Sequence, residues 1–157
     1  MDFKQKIESA NAPKAIGPYS PAIKLGDFVY LSGQLGMDNE GTIVSDDVKE
    51  QTHQVMKNIG ALLSEMHLEY RHIVKTTIFV SDLNDFATIN EVYGSYFEGV
   101  YPARSCMEVA RLPKDGKVEI ECLVLDTLAY ENQSAHHCGG CHHDDGDDCG
   151  GCCSSCE

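Results

Sequence analysis

Two helix-periodic segments interleave with apolar, β-branched extended runs over the first 126 residues, and that alternation admits few folds. The first helical run opens at Asp47, an N-cap residue with Glu50 three places on in the capping-box position. Val48, Thr52, Val55, Ile59, Leu62, Leu63 and Met66 follow at helical spacing, and the run ends near His67. The second opens at Asp82, carries Phe86, Ile89, Tyr93 and Tyr96 or Phe97 on its inner face, and is ended by Gly99 and Pro102. Between them, residues 73–80 (IVKTTIFV) read as a strand that alternates at first and becomes fully apolar. Residues 28–32 (FVYLS), 104–109 and 117–126 are further strands, the last two joined by a turn around Asp115-Gly116. Residues 16–25, interrupted by Pro18 and Pro21, read as an edge-type extended segment. The predicted order β-β-α-β-α-β-β is an α+β layer: a mixed sheet with both helices on one face. The other face also carries apolar residues, and oligomerisation through the sheet is the simplest cover for it.

The chain has 157 residues and a net charge of −13. The last 22 residues hold five of the 25 acids and none of the 12 bases, which leaves −8 on residues 1–135. Such an acidic surface argues against non-specific nucleic-acid binding, which needs basic patches. It does not oppose a small anion held by one arginine. No stretch is long and apolar enough to span a membrane, and the opening residues lack the apolar core of a signal peptide. The expected location is cytoplasmic. There the eight cysteines are expected to be thiols or metal ligands rather than disulfides.

Residues 101–125 (YPARSCMEVARLPKDGKVEIECLVL) concentrate the candidates for chemistry. Arg104 begins one extended run, and Glu119 and Glu121 share one face of the next. The two runs read as neighbouring strands, and charges on neighbouring strands of a hydrophobic sheet need a partner or a ligand. Arg104 offers a planar fork that matches a carboxylate in two parallel hydrogen bonds; a structural ion pair with Glu119 or with an interface carboxylate is the alternative use. Either glutamate could hold a water for attack on a polarised carbon, or simply be solvated. Cys106, on the same side of its strand as Arg104, reads as a pocket-lining thiol in preference to a nucleophile. No histidine lies near it in sequence; His53, His67 and His72 are on or near the first helix. Tyr19 and Ser32 each stand beside glycine at the end of an extended run, and each could give a hydroxyl to a ligand or serve a turn.

In order along about residues 10–126, four stretches resemble the RidA (YjgF) family of enamine/imine deaminases. They are NAPKAIGPYSPAIKLGDFVYLSGQ, EQTHQVMKNIGALL, IVKTTIFVSDLNDFATINEVYGSYF and YPARSCMEVARLPKDGKVEIE. The resemblance implies a chorismate-mutase-like α+β fold whose sheets pack as a homotrimeric barrel, with clefts between subunits. It assigns the substrate carboxylate to Arg104 and the catalytic water to Glu119, with Tyr19, Ser32, Gly33, Asn90 and Cys106 around the pocket. The implied reaction is hydrolysis of 2-aminoacrylate and 2-aminocrotonate, through their imines, to 2-oxo acids and ammonia, without a cofactor. Positioning and electrostatics suffice for it. A ribonuclease or translation-inhibitor role, or a non-enzymatic binding or chaperone-like role, are the competing functions.

The body is set at residues 1–130 and a tail at 131–157, where the composition changes abruptly. Residues 136–157 contain six cysteines, four histidines, five glycines and no aliphatic side chain, a composition expected to be disordered unless crosslinked. Cys138 and Cys141, Cys149 and Cys152, and Cys153 and Cys156 each lie three positions apart, near His136, His137, His142 and His143. Cysteine pairs at this spacing can chelate one ion through both thiolates, so zinc or another soft metal is the expected occupant. A thiol redox element is the alternative.

Overall fold

The structure, a computed structural model, describes residues 3–135. A six-stranded sheet runs β1 (Gln5–Ile7), β2 (Ala22–Leu25), β3 (Phe28–Leu35), β6 (Val118–Leu125), β4 (Ile73–Val80), β5 (Ala103–Glu108) in spatial order. All pairings are antiparallel except β4 with β5. Helix α1 (Val48–Ser64) precedes β4, and α2 (Phe86–Gly94) makes the crossover between the two parallel strands. A short helix, α3 (Leu128–Ala135), follows β6.

The α+β class holds, with several corrections. Residues 16–21 are irregular, β1 pairs with β2 ahead of them, and β3 continues past Ser32 to Leu35. The strands holding Arg104 and Glu119 are not neighbours, because β4 lies between them. The turn around Asp115-Gly116 thus joins strands that do not pair, which local turn chemistry cannot reveal. Asp82 caps a short 3-10 turn, Leu83–Asp85, that leads into α2, and α2 stops at Gly94. Phe86 lies at 37% exposure, outside the core, although helical spacing put it on the inner face. Helix α3 runs past residue 130, and its Glu131 is gripped by the Arg71 fork at 2.9 Å through each nitrogen.

Alternation along the strands separates two faces. Val29, Leu31, Ile78, Val80, Val118, Ile120 and Val124 are buried under the helices. From α1, Val55, Met56, Ile59, Leu62 and Leu63 complete that core. Each contributes about 1.5–3 kcal/mol on burial. The Asp47 carboxylate caps α1 by accepting from the Lys49 N–H at 2.8 Å, with Glu50 in the first turn. Inside the helix Gln51 is buried; its amide donates to the Ser45 carbonyl at 2.7 Å and its Oε1 accepts from the Lys117 N–H at 2.8 Å. The opposite sheet face leaves Phe28 at 49% and Tyr30 at 52% exposure.

Gly36 sets how closely α1 approaches the sheet. A Cβ there would stand 2.7 Å from the Gln51 Cα and 2.8 Å from its carbonyl oxygen. Backbone, unlike a side-chain tip, cannot swing aside. Gly36→Ala is therefore expected to lower stability by about 1–3 kcal/mol, measured by urea unfolding.

Candidate functional site

The sheet presents two groups of candidate residues, and it holds them apart. Arg104 lies on the edge strand β5 in register with Thr76, while Cys106 is in register with Ile78. Thr76 and Ile78 are buried on the helix side, so Arg104 and Cys106 lean towards α2. There the Arg104 Nη1 donates to the Asn90 Oδ1 at 2.6 Å. The guanidinium carbon sits 5.4 Å from the Phe86 ring centre and 5.3 Å from that of Tyr93. Tyr93 is itself fixed: its hydroxyl is 2.9 Å from the Thr76 Oγ1, and its ring packs against Phe97 at 4.8 Å. The fork is thus oriented by ring faces and one amide oxygen, with no carboxylate partner among the described residues. That arrangement leaves donors for an anion.

Phe86, Asn90 and Tyr93 occupy positions i, i+4 and i+7 of one helical stripe. Sequence reasoning missed Phe86 and Tyr93 as parts of the site. The signal was the polar Asn90 set between two aromatic residues on that stripe.

Glu119 lies on the opposite sheet face, in register with Leu35 on β3 and Phe79 on β4. An ion pair between Arg104 and Glu119 of one chain is excluded by this geometry. Between Leu31 and Gln34 the β3–β6 register slips, so three steps along β3 match two along β6. The resulting bulge brings Gly33 against Glu119. A Cβ on Gly33 would fall 1.8 Å from the Glu119 Oε1, so only glycine leaves the carboxylate where it is. Partial burial raises the Glu119 pKa, and the neighbouring Glu121 charge raises it further.

Ser32, in the same bulge, donates its hydroxyl to the Ser20 carbonyl at 2.7 Å and so ties down the loop that carries Tyr19. Tyr19 is 45% exposed and lines a cleft with Pro13, Lys14 and Gly17, apart from Arg104. The structure therefore gathers Arg104, Asn90 and Cys106 in one place, and Glu119, Gly33 and Ser32 in another. Cys106 is a partly buried free thiol whose pKa burial raises, against a smaller lowering by Arg104. A raised pKa lowers the share of thiolate, which disfavours the nucleophile reading. His53 is engaged with the Tyr96 hydroxyl at 3.0 Å, and His72 accepts from the Glu69 N–H at 3.0 Å.

Among the described residues, no three His, Cys, Asp or Glu side chains are grouped to hold a metal ion. The ten proposed tail ligands, His136 to Cys156, lie outside the described residues. No helix among the described residues is long and apolar enough to cross a membrane.

Comparison with known proteins agrees with this architecture. The family model described as endoribonuclease L-PSP matches residues 9–125. A 2-iminobutanoate/2-iminopropanoate deaminase of Salmonella typhimurium is 48% identical over 126 residues, covering 78% of this chain and 98% of that protein. A RutC family protein of Pyrococcus abyssi is 50% identical over 121 residues, covering 76% of this chain and 95% of its own length. A crystal structure of E. coli TdcF with bound serine superposes with a TM-score of 0.74 at 45% identity, covering 77% of this chain and 98% of that one. By the reach of that model and by these identities, the chain belongs to the endoribonuclease L-PSP family, which is the RidA (YjgF) family its motifs resemble.

Proposed function

We propose that the chain is an imine deaminase that hydrolyses 2-iminobutanoate and 2-iminopropanoate, formed from 2-aminocrotonate and 2-aminoacrylate, in clefts between the subunits of a homotrimer. The observation that carries this reading is the Arg104 fork, oriented by Asn90 and two aromatic rings yet without a carboxylate of its own. The deaminase name of the Salmonella relative supports the substrate class. The serine in the TdcF structure supports small amino-acid-like ligands. Because Arg104 and Glu119 lie on opposite faces of one sheet, a complete site takes Arg104 from one copy and Glu119 from another.

Each residue then has a task. Arg104 binds the substrate carboxylate in two charge-assisted hydrogen bonds. Glu119 accepts a proton from water as the water oxygen bonds to the imine carbon, the C=N π pair moves to nitrogen, and Glu119 passes that proton to the nitrogen. In the resulting carbinolamine the hydroxyl proton passes through Glu119 to the amino group as the C–N bond breaks and the C=O bond forms, which releases ammonia and the 2-oxo acid and leaves Glu119 unprotonated. Water is the only co-reactant. Asn90 orients Arg104, Gly33 makes room for the Glu119 carboxylate, and Ser32, Tyr19 and Cys106 shape the walls.

The family description names an endoribonuclease. The charge of −13 favours a small anion over a polyanion as ligand. Location in the cytoplasm is part of the same proposal. So is a body at residues 1–130 followed by a tail whose cysteines and histidines hold zinc or another soft metal; mass spectrometry of the full chain under native conditions tests the metal.

The assay couples a PLP-dependent dehydratase, which supplies the enamine, to the release of 2-oxo acid. The wild type is expected to accelerate release; a folded protein that does not would overturn the deaminase. A pH profile adds a second check. Glu119 must be ionised to accept a proton, and its raised pKa moves the loss of activity to a higher pH than an ordinary glutamate would give. The acid limb of kcat/KM is expected at a higher pH than an ordinary glutamate would give and is expected to vanish in Glu119→Gln, whose residual rate should be flat there.

A further inference from the structure

On the sheet face that turns away from the helices, two charges stand among apolar side chains. Glu121 on β6 is in register with Thr77 on β4, and Lys75 lies one same-face position further along, opposite Leu123. Both are exposed, and neither takes part in an ion pair among the described residues. Together with Tyr30, Ile23 and Leu123 they line one shallow groove. An apolar sheet face with one cation and one anion at its centre is complementary to a second copy of itself. Once covered, each charge loses water and must gain a partner, because an unpaired charge in an interface is strongly unfavourable.

We propose that Lys75 of one copy pairs with Glu121 of the next, a ring of ion pairs that fixes the register of the subunits. The inference rests on the trimer proposed above. Its occupant is a second copy of this chain: the catalytic residues lie on opposite faces, so the site is incomplete without one, and the two charges are mutually complementary. In a three-fold ring every interface sets the 75 position of one subunit against the 121 position of its neighbour. The pair thereby selects one alignment of the faces, the alignment on which a cleft joining Arg104 and Glu119 of different copies depends.

Sedimentation of the full chain tests this with the charge reversals K75E and E121K. Each reversal alone puts like charges at every interface, and the concentration at which trimers dissociate is expected to rise by roughly a hundredfold or more. Mixing the two variants after dissociation should recover much of the lost assembly. In a mixed trimer two of the three interfaces set position 75 of one variant against position 121 of the other, and there the charges are again opposite. Reversals that assemble like the wild type would overturn the pair. So would recovery in the double variant K75E/E121K without recovery on mixing, since that pattern marks a pair within one chain. If a reversal fails to fold by circular dichroism, K75M and E121Q carry the test, with a rise of roughly tenfold expected and no rise contradicting the pair. A wild type that is not trimeric would instead remove the assembly itself, whereas a trimeric wild type indifferent to these changes would remove only the pair.

Discussion

Arg104→Ala is expected to abolish nearly all of the proposed deaminase turnover while the fold persists. The fork would make two charge-assisted hydrogen bonds to the substrate carboxylate, each worth about 1.5–3 kcal/mol, and their loss amounts to roughly 10²–10⁴-fold in kcat/KM. Little structure depends on this side chain. It lies on the exposed edge strand, and its contacts are one amide oxygen and two ring faces. Thermal unfolding should therefore change little. Arg104→Lys keeps the charge but not the planar fork, and it should recover only part of the rate. Full activity in Arg104→Ala would remove the carboxylate site from this strand.

Gly33→Ala should be nearly as damaging to activity, for a different reason. The added methyl would overlap the end of the Glu119 side chain, with the Oε1 at 1.8 Å and the Cδ at 2.7 Å. The obstacle is a flexible carboxylate and not backbone, so Glu119 can rotate away and the protein can still fold. The carboxylate then leaves the place where the proposed mechanism has it hold water. A displacement of about 1 Å can cost roughly 10²-fold in rate. The expected pattern is loss of kcat with a near-normal unfolding transition. Gly36→Ala should show the reverse emphasis, because there the obstacle is the backbone of α1.

The contrast between these two glycines marks what a single sequence conveys. The β4 bounds were legible because eight residues of mostly β-branched character lie between clear stop signals. The start of α1 was legible because Asp47 caps it. Arg104 and Glu119 were legible as unusual charges in apolar runs. Their relation was not, because spatial strand order is a tertiary property. β4 inserts itself between two strands that are consecutive in sequence, and its registers with each of them put Arg104 and Glu119 on opposite faces. The Gly33 bulge was hidden for a similar reason: its function is to clear Glu119, 86 residues away by their numbers. Phe86 was placed in the core by helical periodicity, which records spacing but not which neighbour arrives. Arg104 is that neighbour: its guanidinium carbon lies 5.4 Å from the centre of a ring that stays 37% exposed. Helix α3 carries too little apolar pattern to announce itself. Leu128 packs against the core and Glu131 is held by Arg71, so the contacts that place this helix are largely tertiary.

Subunit complementation tests most directly whether two copies share each active site. Arg104→Ala retains Glu119, and Glu119→Gln retains Arg104, so each variant alone lacks half of every site. In mixed trimers some clefts unite an intact Arg104 with an intact Glu119 from different chains. Random exchange of equal amounts should make about one quarter of the clefts complete and restore a like share of activity. Absence of recovery, with mixed trimers verified by mass, would contradict a site divided between subunits.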